Sequence, residues 1–404
     1  MAFYLAEPAV LSALGEGMVA HCEALLNPPG QTPLAFSEQW IAGKSRAFGA
    51  VSQKLRDFPQ HLPEKYRSRN NQLLWHALAQ IEPQIEAVKQ RYGAARVAVV
   101  MGTSTSGVDE NIPLFQTASA SGEWSSRPFK QSQQLMAAPA EFAAEVYGLQ
   151  GLRYVVSTAC TSGARALISA ARLLNAGLCD AVLCGGADTL SPLTINGFHS
   201  LEVLSEGLAN PFSANRSGIN IGEAAAVFVM TREPLFDGSM VLAGYGASSD
   251  AYHMSSPRPD GLGAAQAFQT ALRHAALAAE DIGWINLHGT GTQHNDSMES
   301  IAVHQVFGRG TACTSTKPLT GHTLGAAGAL EAALLWGIAG RKYNPEGKLP
   351  PQLWDGVRDD KLPEIGLTDS ASRWPQGRRI GASASFAFGG SNAVVIIGEP
   401  AEAV

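Results

Sequence analysis

The sequence predicts an α/β fold made of two similar halves, and three observations support this prediction. Apolar, β-branched runs alternate with Ala- and Leu-rich runs of helical periodicity, a pattern typical of sheets covered by helices. The 404 residues exceed what one simple core usually holds, so two packed units are expected. Two pairs of segments also resemble each other, which favours halves of the same topology.

The predicted elements follow in chain order. The strongest strand signals lie at 95–103, 179–188, 224–231 and 392–400. The strongest helix signals lie at 70–91, 161–176, 264–279 and 325–340. The apolar run of Tyr154, Val155 and Val156 predicts a further, buried strand directly before the second of these helices. Connecting segments are predicted at 26–68, 103–134 and 341–379.

The internal duplication rests on two similarities. STACTSGARALISAARLL in the first half resembles STKPLTGHTLGAAGALEAALL in the second, and GEAAAVFVMTREP resembles SNAVVIIGEP. We therefore predict halves at residues 1–237 and 238–404. The alternative is that Ala- and Gly-rich units resemble one another through composition alone.

Composition and charge exclude several classes of function. The net charge is −6 and no Lys/Arg-rich block occurs, which argues against a nucleic-acid partner. No apolar run approaches the ~18 residues of a membrane span, and no signal peptide is predicted. The 5 cysteines show neither CxxC pairs nor zinc spacing, so we expect no metal site and a reducing, cytoplasmic setting.

Cys160 is the most informative residue because it lies at a predicted strand-to-helix turn. The positive end of a helix dipole lowers a thiol pKa there, which favours a nucleophilic thiolate. The free N–H groups of such a turn can also stabilise an oxyanion. The alternative is that Cys160 is a small buried residue that fills a tight turn.

Further polar residues occur at predicted element ends. His288 ends a predicted strand before a Gly/Thr turn, and His322 lies at a loop-to-helix junction. Lys317 precedes His322, and Glu331 follows on the next predicted helix. Taken singly, each has an ordinary structural interpretation, such as a structural histidine or a solvated charge.

Together these runs resemble the β-ketoacyl-acyl-carrier-protein synthases, the condensing enzymes of fatty-acid and polyketide assembly. The matching pieces are ACTSG around Cys160, HGTGT from His288, STKPLTGHTLGAAG and FAFGGSN, with CGGAD and SSDAYHMSSP between them. The resemblance implies a thiolase-like, internally duplicated αβαβα sandwich. It also implies an acyltransferase that elongates a fatty-acid, polyketide or aryl-polyene chain.

The resemblance implies catalytic roles at the matching positions. Cys160 would accept the acyl group as a thioester. His288 and His322 would support decarboxylation of a malonyl thioester. Lys317 would orient the surroundings of the second histidine, and Glu331 would join the same buried polar network.

It also implies residues that bind the substrate. The N–H groups of Cys160 and Phe388 would form an oxyanion hole, and Phe386 and Phe388 would belong to a gating loop. Thr290 and Thr292 would hydrogen-bond a phosphopantetheine arm. The small residues Gly107 and Val108 would line the acyl pocket.

The expected partners follow from the same resemblance. Substrates would be carried on the phosphopantetheine of an acyl carrier protein, with no bound cofactor. The chain would form a homodimer, or a heterodimer with a subunit resembling a chain-length factor.

Three related activities fit less well. A thiolase needs a second cysteine near the C-terminus, but no Cys follows Cys313. A type III polyketide synthase would have Asn in place of His322. A chain-length factor lacks the nucleophile, whereas Cys160 is present.

Overall fold

The computed structural model describes residues 3–125 and 127–401. Its strands are β1 Phe3–Leu5, β2 Ala9–Ser12, β3 Gly15–Glu16, β4 Ala35–Ser37, β5 Arg46–Phe48, β6 Val97–Gly102, β7 Arg153–Val156, β8 Ala181–Asp188, β9 Ala224–Thr231, β10 Met240–Ser249, β11 Trp284–Asn286, β12 Ala312–Thr314, β13 Gly366–Leu367, β14 Ile380–Phe386 and β15 Ser391–Gly398. Its α-helices are α1 Gly17–Leu26, α2 Arg69–Leu78, α3 Glu82–Tyr92, α4 Ile112–Ser121, α5 Gln131–Gln134, α6 Ala138–Tyr147, α7 Ser162–Asn175, α8 Pro192–Ser200, α9 Leu262–Ala275, α10 Gln293–Phe307, α11 Lys317–Thr320 and α12 Ala327–Ala339.

The predicted duplication appears in the strand order. The first half orders its strands β7-β6-β8-β9, with the first three parallel and β9 antiparallel. The second half repeats this arrangement as β12-β11-β14-β15, again with the last strand antiparallel. Strands β1 and β10 join the halves into one hydrogen-bonded sheet. The boundary at residues 237 and 238 falls between β9 and β10 and remains a prediction.

The layers follow from the alternation of side chains along each strand. In β6, Ala98 and Val100 face the central core with helices α7 and α12. Val97 and Val99 on the opposite face pack against the outer helices of the first half. Helices α9 and α10 cover the outer face of the second half in the same way. The fold therefore has five layers. The outer helices form the two outside layers, the strands of each half form one layer beneath them, and α7 and α12 form the central layer.

The two central helices approach each other closely at small residues. A Cβ atom on Gly163 of α7 would lie 2.5 Å from the Ala329 nitrogen of α12. A Cβ atom on Gly328 would lie 2.6 Å from the Ala164 nitrogen. Only glycine permits such backbone contact. The N-terminal ends of the two equivalent helices are thereby held side by side, which places the catalytic candidates of both halves together.

Three predictions about local structure need correction. The helix predicted over 70–91 is two helices, and Pro83 lies in the first turn of the second. The segment 103–134 contains helices α4 and α5 and is therefore not only a connection. The strand predicted as buried around Tyr154 lies at the edge of the sheet, where Arg153 and Tyr154 are exposed.

Within the described part of the chain, no helix combines the length and apolarity needed to cross a membrane.

Candidate active site

Cys160 lies in a strained turn between β7 and α7. The preceding residue, Ala159, adopts a left-handed backbone conformation with φ of 51°, which is costly for a residue other than glycine. The Ser162 hydroxyl donates to the Ala159 carbonyl at 2.6 Å and accepts from the Thr158 N–H at 2.9 Å. These bonds hold the turn, and they present the buried Cys160 thiol at the N-terminal end of α7.

The second half supplies the neighbour of this thiol. His322 Nε2 lies 3.0 Å from Cys160 Sγ, although 162 positions separate the two residues in the chain. The His322 backbone is fixed by hydrogen bonds with Asn220 and Gly222. His322 Nδ1 is buried without a hydrogen-bond partner among the described residues. No fixed partner therefore dictates the tautomer of this ring.

The environment of Cys160 corrects the expectation of a lowered thiol pKa. Burial raises the pKa of Cys160 to about 12, which exceeds the opposing effect of the Lys317 ammonium. Desolvation therefore outweighs the favourable helix dipole. The resting side chain is a protonated thiol, and its proton must be taken up when it acts as a nucleophile.

His288 is oriented by a buried ion pair. The Lys317 ammonium donates to His288 Nδ1 at 3.3 Å and forms an ion pair with Glu331. Because an ammonium only donates, Nδ1 must be the acceptor and Nε2 must carry the proton. Lys317 therefore contacts His288, whereas the family resemblance had implied that it orients the surroundings of His322. Burial raises the pKa of Glu331 to about 7.

Both imidazoles are neutral at physiological pH. Burial, with the Lys317 charge in support, holds the pKa of His288 and of His322 well below the usual 6.5. The two ring centroids lie 5.2 Å apart at an interplanar angle of 85°. Two neutral rings so arranged can donate Nε2–H groups to one shared point near the thiol.

Two buried carboxylates missed by the sequence analysis hold the turn that carries His288. Glu299 accepts hydrogen bonds from the N–H groups of His288 and Gly289, each at 2.7 Å. Asp296 accepts from the N–H of Thr290 at 3.0 Å and from that of Gly291. The run NDSMES directly after HGTGTQH could have indicated them, because Asp296 and Glu299 lie on one face of the helix that follows the His288 turn.

A narrow cavity of about 80 Å³ connects the catalytic candidates with the surface. Cys160, His288 and His322 line its inner end. Thr290 and Thr292 line the same cavity, with their hydroxyl oxygens 3.0 Å apart. The threonines therefore lie where an extended arm would pass.

The two phenylalanines have different surroundings. Phe386 is buried at the end of β14, with its ring centroid 6.0 Å from that of His288. Phe388 is half-buried in the following loop, with its ring 5.6 Å from that of Phe198. The Phe388 N–H has no protein acceptor in the described part of the chain, so it is free to bind an oxyanion. Of the two rings, Phe388 is the one placed to move.

Gly107 and Val108 are not among the residues that line the cavity. A Cβ atom on Gly107 would lie 2.8 Å from the Ser68 Cβ atom and 2.9 Å from the Gln133 carbonyl oxygen. Within this chain, Gly107 therefore permits close packing between two segments. Its role in an acyl pocket stays a prediction.

The loop with FAFGGSN is tied to the segment SSDAYHMSSP by residues that the sequence analysis did not assign. Asp250 accepts from the Asn392 amide at 2.6 Å and from the Arg258 N–H at 3.0 Å. The Gly389 N–H donates to the Met254 carbonyl at 2.8 Å. Asp250 and Asn392 both line the cavity, so the loop and the cavity wall form one unit.

The donor atoms of Cys160, His288 and His322 lie within 4.8 Å of one another. Such a set is chemically able to bind a metal ion. The adjacent Lys317 ammonium opposes a cation at this position. The arrangement is better suited to stabilising negative charge.

Family models match most of the chain. The model described as the N-terminal domain of β-ketoacyl synthase matches residues 69–234. The model of the corresponding C-terminal domain matches residues 239–339.

Individual relatives give the same result. A 3-oxoacyl-[acyl-carrier-protein] synthase 2 from Vibrio cholerae is 32% identical and covers 75% of this chain and 76% of its own. Nodulation protein E from Rhizobium leguminosarum bv. trifolii is 32% identical over 86% of this chain and 87% of its own. A ketosynthase from Xenorhabdus doucetiae, solved in complex with its chain length factor, is 43% identical, with a TM-score of 0.91 over 99% of this chain and 98% of its own. These matches confirm the predicted thiolase-like fold.

Proposed function

The chain belongs to the β-ketoacyl synthase family, and from this premise we propose how its own residues carry out the condensation. It is an acyltransferase that joins an acyl group on Cys160 to the carbon that becomes nucleophilic when malonyl-acyl-carrier protein loses carbon dioxide. The observation that carries the assignment is the meeting of Cys160, His322, His288 and Lys317 at one buried point.

The first step is acyl transfer to Cys160. The sulfur attacks the thioester carbonyl of the incoming substrate, and the phosphopantetheine sulfur leaves and takes up a proton. His322 Nε2, 3.0 Å from the sulfur, is placed to receive the thiol proton and pass it to the leaving thiol. The Lys317 charge favours the thiolate during this transfer because it opposes the effect of burial on the pKa of Cys160. The N–H groups of Cys160 and Phe388 stabilise the tetrahedral oxyanion.

The second step is decarboxylation of the malonyl thioester. The bond to the carboxylate breaks, carbon dioxide leaves, and its electron pair forms an enolate. The Nε2–H group of His288 donates to the enolate oxygen. His322 does the same once its ring has changed tautomer, from the Nδ1–H form that accepts the thiol proton to the Nε2–H form, which no partner of Nδ1 opposes. Each donor is worth about 2–4 kcal/mol by comparison with an oxyanion-hole donor. Lys317 acts through His288, because it fixes the tautomer that can donate.

The third step joins the two carbon chains. The enolate carbon attacks the acyl carbonyl on Cys160, and the oxyanion again faces the N–H groups of Cys160 and Phe388. Collapse of this intermediate releases the Cys160 sulfur and leaves the β-ketoacyl product on the carrier protein. The proposed steps use only charges and hydrogen-bond donors of this chain.

The proposed partners extend what the relatives' names state. We propose that substrates arrive on the phosphopantetheine of an acyl carrier protein, and that Thr290 and Thr292 hydrogen-bond this arm inside the cavity. The chain pairs either with a copy of itself or with a subunit resembling a chain-length factor, as the Xenorhabdus ketosynthase pairs with its own. We also propose a specialised polyketide or aryl-polyene pathway. A cytoplasmic location and a pocket lined by Gly107 and Val108 remain proposals.

Intact-protein mass after incubation with acyl-carrier-protein thioesters tests the assignment. We expect an acyl adduct on Cys160 that disappears when malonyl-carrier protein is added, with one equivalent of carbon dioxide released. The acyl groups that are accepted would define the pathway. The Cys160→Ala variant should form no adduct. An adduct of equal yield on this variant, or an adduct on wild-type protein that malonyl-carrier protein does not discharge, would contradict the proposal.

A further inference from the structure

Asp188 ends the run CGGAD, a sequence feature that the proposed mechanism does not use. It is the last residue of β8, and its side chain is fully buried. Burial raises the pKa of its carboxyl group, and the hydrogen bonds that oppose this effect come from neutral donors only. A buried carboxylate that has no cationic partner in the described part of the chain is costly, so the contacts that it makes must offset this cost.

The donors to the Asp188 carboxylate come from two segments, one in each half of the chain. Oδ1 accepts from the Thr103 hydroxyl at 2.5 Å and from the Ser104 N–H at 3.0 Å, both in the loop after β6. Oδ2 accepts from the Gly325 N–H at 2.7 Å, in the turn that follows His322. Because both oxygens accept from backbone N–H groups, which can only donate, the site suits the ionised carboxylate.

The two halves approach each other closely at this contact. A Cβ atom on Gly325 would lie 2.6 Å from Asp188 Oδ2 and 2.6 Å from the Ser104 nitrogen. A Cβ atom on Gly186, which precedes Asp188 in the same strand, would lie 3.1 Å from the Gly325 carbonyl oxygen. Small residues on both sides therefore allow the carboxylate to reach the backbone of the turn.

The turn between His322 and helix α12 is strained. Leu324 adopts a left-handed backbone conformation with φ of 50°, which is costly for a residue other than glycine. Gly325 follows in the short 3-10 turn that leads into α12, where the start of a helix leaves N–H groups without a partner in the helix. Asp188 supplies the missing acceptor and places negative charge at the favourable end of the helix. It thereby holds the backbone three residues after His322.

We propose that Asp188 is a positioning residue, whose ionised carboxylate joins the loop after β6 to the turn that follows His322 and so holds the His322 imidazole against Cys160. Asp188 is not among the residues that line the cavity, and it therefore acts through this turn. The proposal deepens the proposed function and rests on it for the reaction that His322 serves.

The charge of Asp188 has a second effect, which opposes the chemistry. The ionisable groups around the Cys160 thiol are the Lys317 ammonium, the carboxylates of Glu331 and Asp188, and the neutral imidazoles of His288 and His322. Both carboxylates raise the pKa of Cys160. Loss of the Asp188 charge should therefore make the thiol more reactive, whereas loss of its hydrogen bonds should make the enzyme slower. A merely structural residue would not produce these opposite effects.

The variant Asp188→Asn tests the proposal. Its amide oxygen can serve the donors of the loop after β6, but its NH2 group then faces the Gly325 N–H and cannot accept from it. We expect the kcat of carbon dioxide release from malonyl-carrier protein to fall by about 10²-fold with KM unchanged, because a small displacement of a reacting group has an effect of this size. Alkylation of Cys160 by iodoacetamide at fixed pH should become faster, by about twofold or more, since the thiolate fraction rises.

The variant Gly325→Ala separates position from charge. Its methyl group would overlap with Asp188 Oδ2 and displace the turn, whereas the carboxylate stays in the protein. Carbon dioxide release should slow as in Asp188→Asn, but alkylation of Cys160 should not become faster. This variant keeps the proposal testable even if Asp188→Asn does not fold.

Asp180→Asn is the matched control, because Asp180 precedes the opposite end of the same strand, where it pairs with Arg96 and Arg232. It should change neither rate. Carbon dioxide release at the wild-type rate in Asp188→Asn or in Gly325→Ala would overturn the proposal. So would an Asp188→Asn variant in which alkylation slows together with carbon dioxide release. A wild-type protein that forms no acyl adduct would instead contradict the proposed function, and the alkylation rates would still report on the charge of Asp188.

Discussion

The segments that carry Cys160 and His322 follow equivalent strands of the two halves, β7 and β12, whereas His288 follows β11, the counterpart of β6. The three segments are held differently. Around Cys160 the bonds are neutral, from hydroxyls such as Ser162 to nearby backbone. In the second half, backbone hydrogen bonds with Asn220 and Gly222 fix His322, whereas buried acidic and basic side chains hold His288. Glu299 accepts from the backbone of His288, and the Lys317–Glu331 pair lies behind the ring.

The difference shows how the two halves share the chemistry. The first half contributes a thiol whose burial raises its pKa, and the second contributes the Lys317 ammonium, which opposes this effect. Duplication of the fold therefore produced a pair of unlike sites. In the proposed mechanism, one half holds the nucleophile, and the other holds the donors and charges that allow it to act.

The largest effect should come from removing the nucleophile. Cys160→Ala should lower the condensation rate by roughly 10³-fold or more, because it removes the sulfur proposed to hold the acyl chain. Steady-state formation of the β-ketoacyl product measures this. Cys313→Ala, another buried thiol on β12, is the control and should retain activity. Turnover near the wild-type rate in Cys160→Ala would mean that Cys160 is not the nucleophile.

Removing one of the two histidine donors should separate decarboxylation from acyl loading of Cys160. His288→Ala and His322→Ala should each slow carbon dioxide release by roughly 10²–10³-fold, since each deletes one donor to the enolate oxygen. Loading of Cys160 should persist in both, and more fully in His288→Ala because His322 contacts the sulfur. His304→Ala, which changes an exposed histidine on α10, is the control. A variant that decarboxylates normally but no longer loads Cys160 would contradict the proposed roles of the two histidines.

The Lys317 charge should influence the pH dependence of decarboxylation and of Cys160 alkylation. Lys317 lowers the pKa of His288, of His322 and of Cys160. In the paired variant Lys317→Met/Glu331→Gln the histidine pKa values should therefore rise. Decarboxylation, which needs neutral imidazoles, should then begin to fail at a higher pH than in the wild type. The pKa of Cys160 should rise too, so its alkylation should require more alkaline pH.

Rate–pH profiles and iodoacetamide titration measure these two shifts. The exposed ion pair of Glu346 and Lys348 provides the matched control as Lys348→Met/Glu346→Gln, which should change neither profile. Unchanged profiles in the Lys317 variant would show that the cation of the second half does not act on the thiol or on the imidazoles.

The smallest effect should come from the two threonines that line the cavity. Thr290→Val should raise KM for the carrier-bound substrate by about threefold to tenfold with little change in kcat, because one neutral hydrogen bond is lost. Thr292→Val should do the same and also lower the free energy of unfolding by about 1 kcal/mol, since Thr292 caps helix α10. Kinetics and thermal unfolding measure the two effects. Thr270→Val on α9 is the control. An effect on kcat alone would place the threonines in the chemistry.

Much of the site was predictable from sequence because it depends on local order. Cys160 at a strand-to-helix turn, His288 at a strand end and the repeated run around His322 are each determined by a short segment. The α/β alternation and the duplication were visible for the same reason, since strand and helix periodicities repeat along the chain.

Other features depended on residues far apart in the chain and needed the tertiary structure. The approach of His322 to Cys160, and the contact of Lys317 with His288 rather than with His322, follow from how the two halves pack. The raised pKa of Cys160 reverses the expectation from the helix dipole, because desolvation depends on burial by every neighbouring element.

The sequence by itself determined the fold class and the family, and it predicted the reacting side chains, because these follow from residue types in short runs. Only the tertiary structure decided the tautomer of His288, the protonated state of the resting thiol and the exposure of the β7 edge. Hydrogen-bond geometry, desolvation and exposure are properties of several segments brought together, and no single segment encodes them.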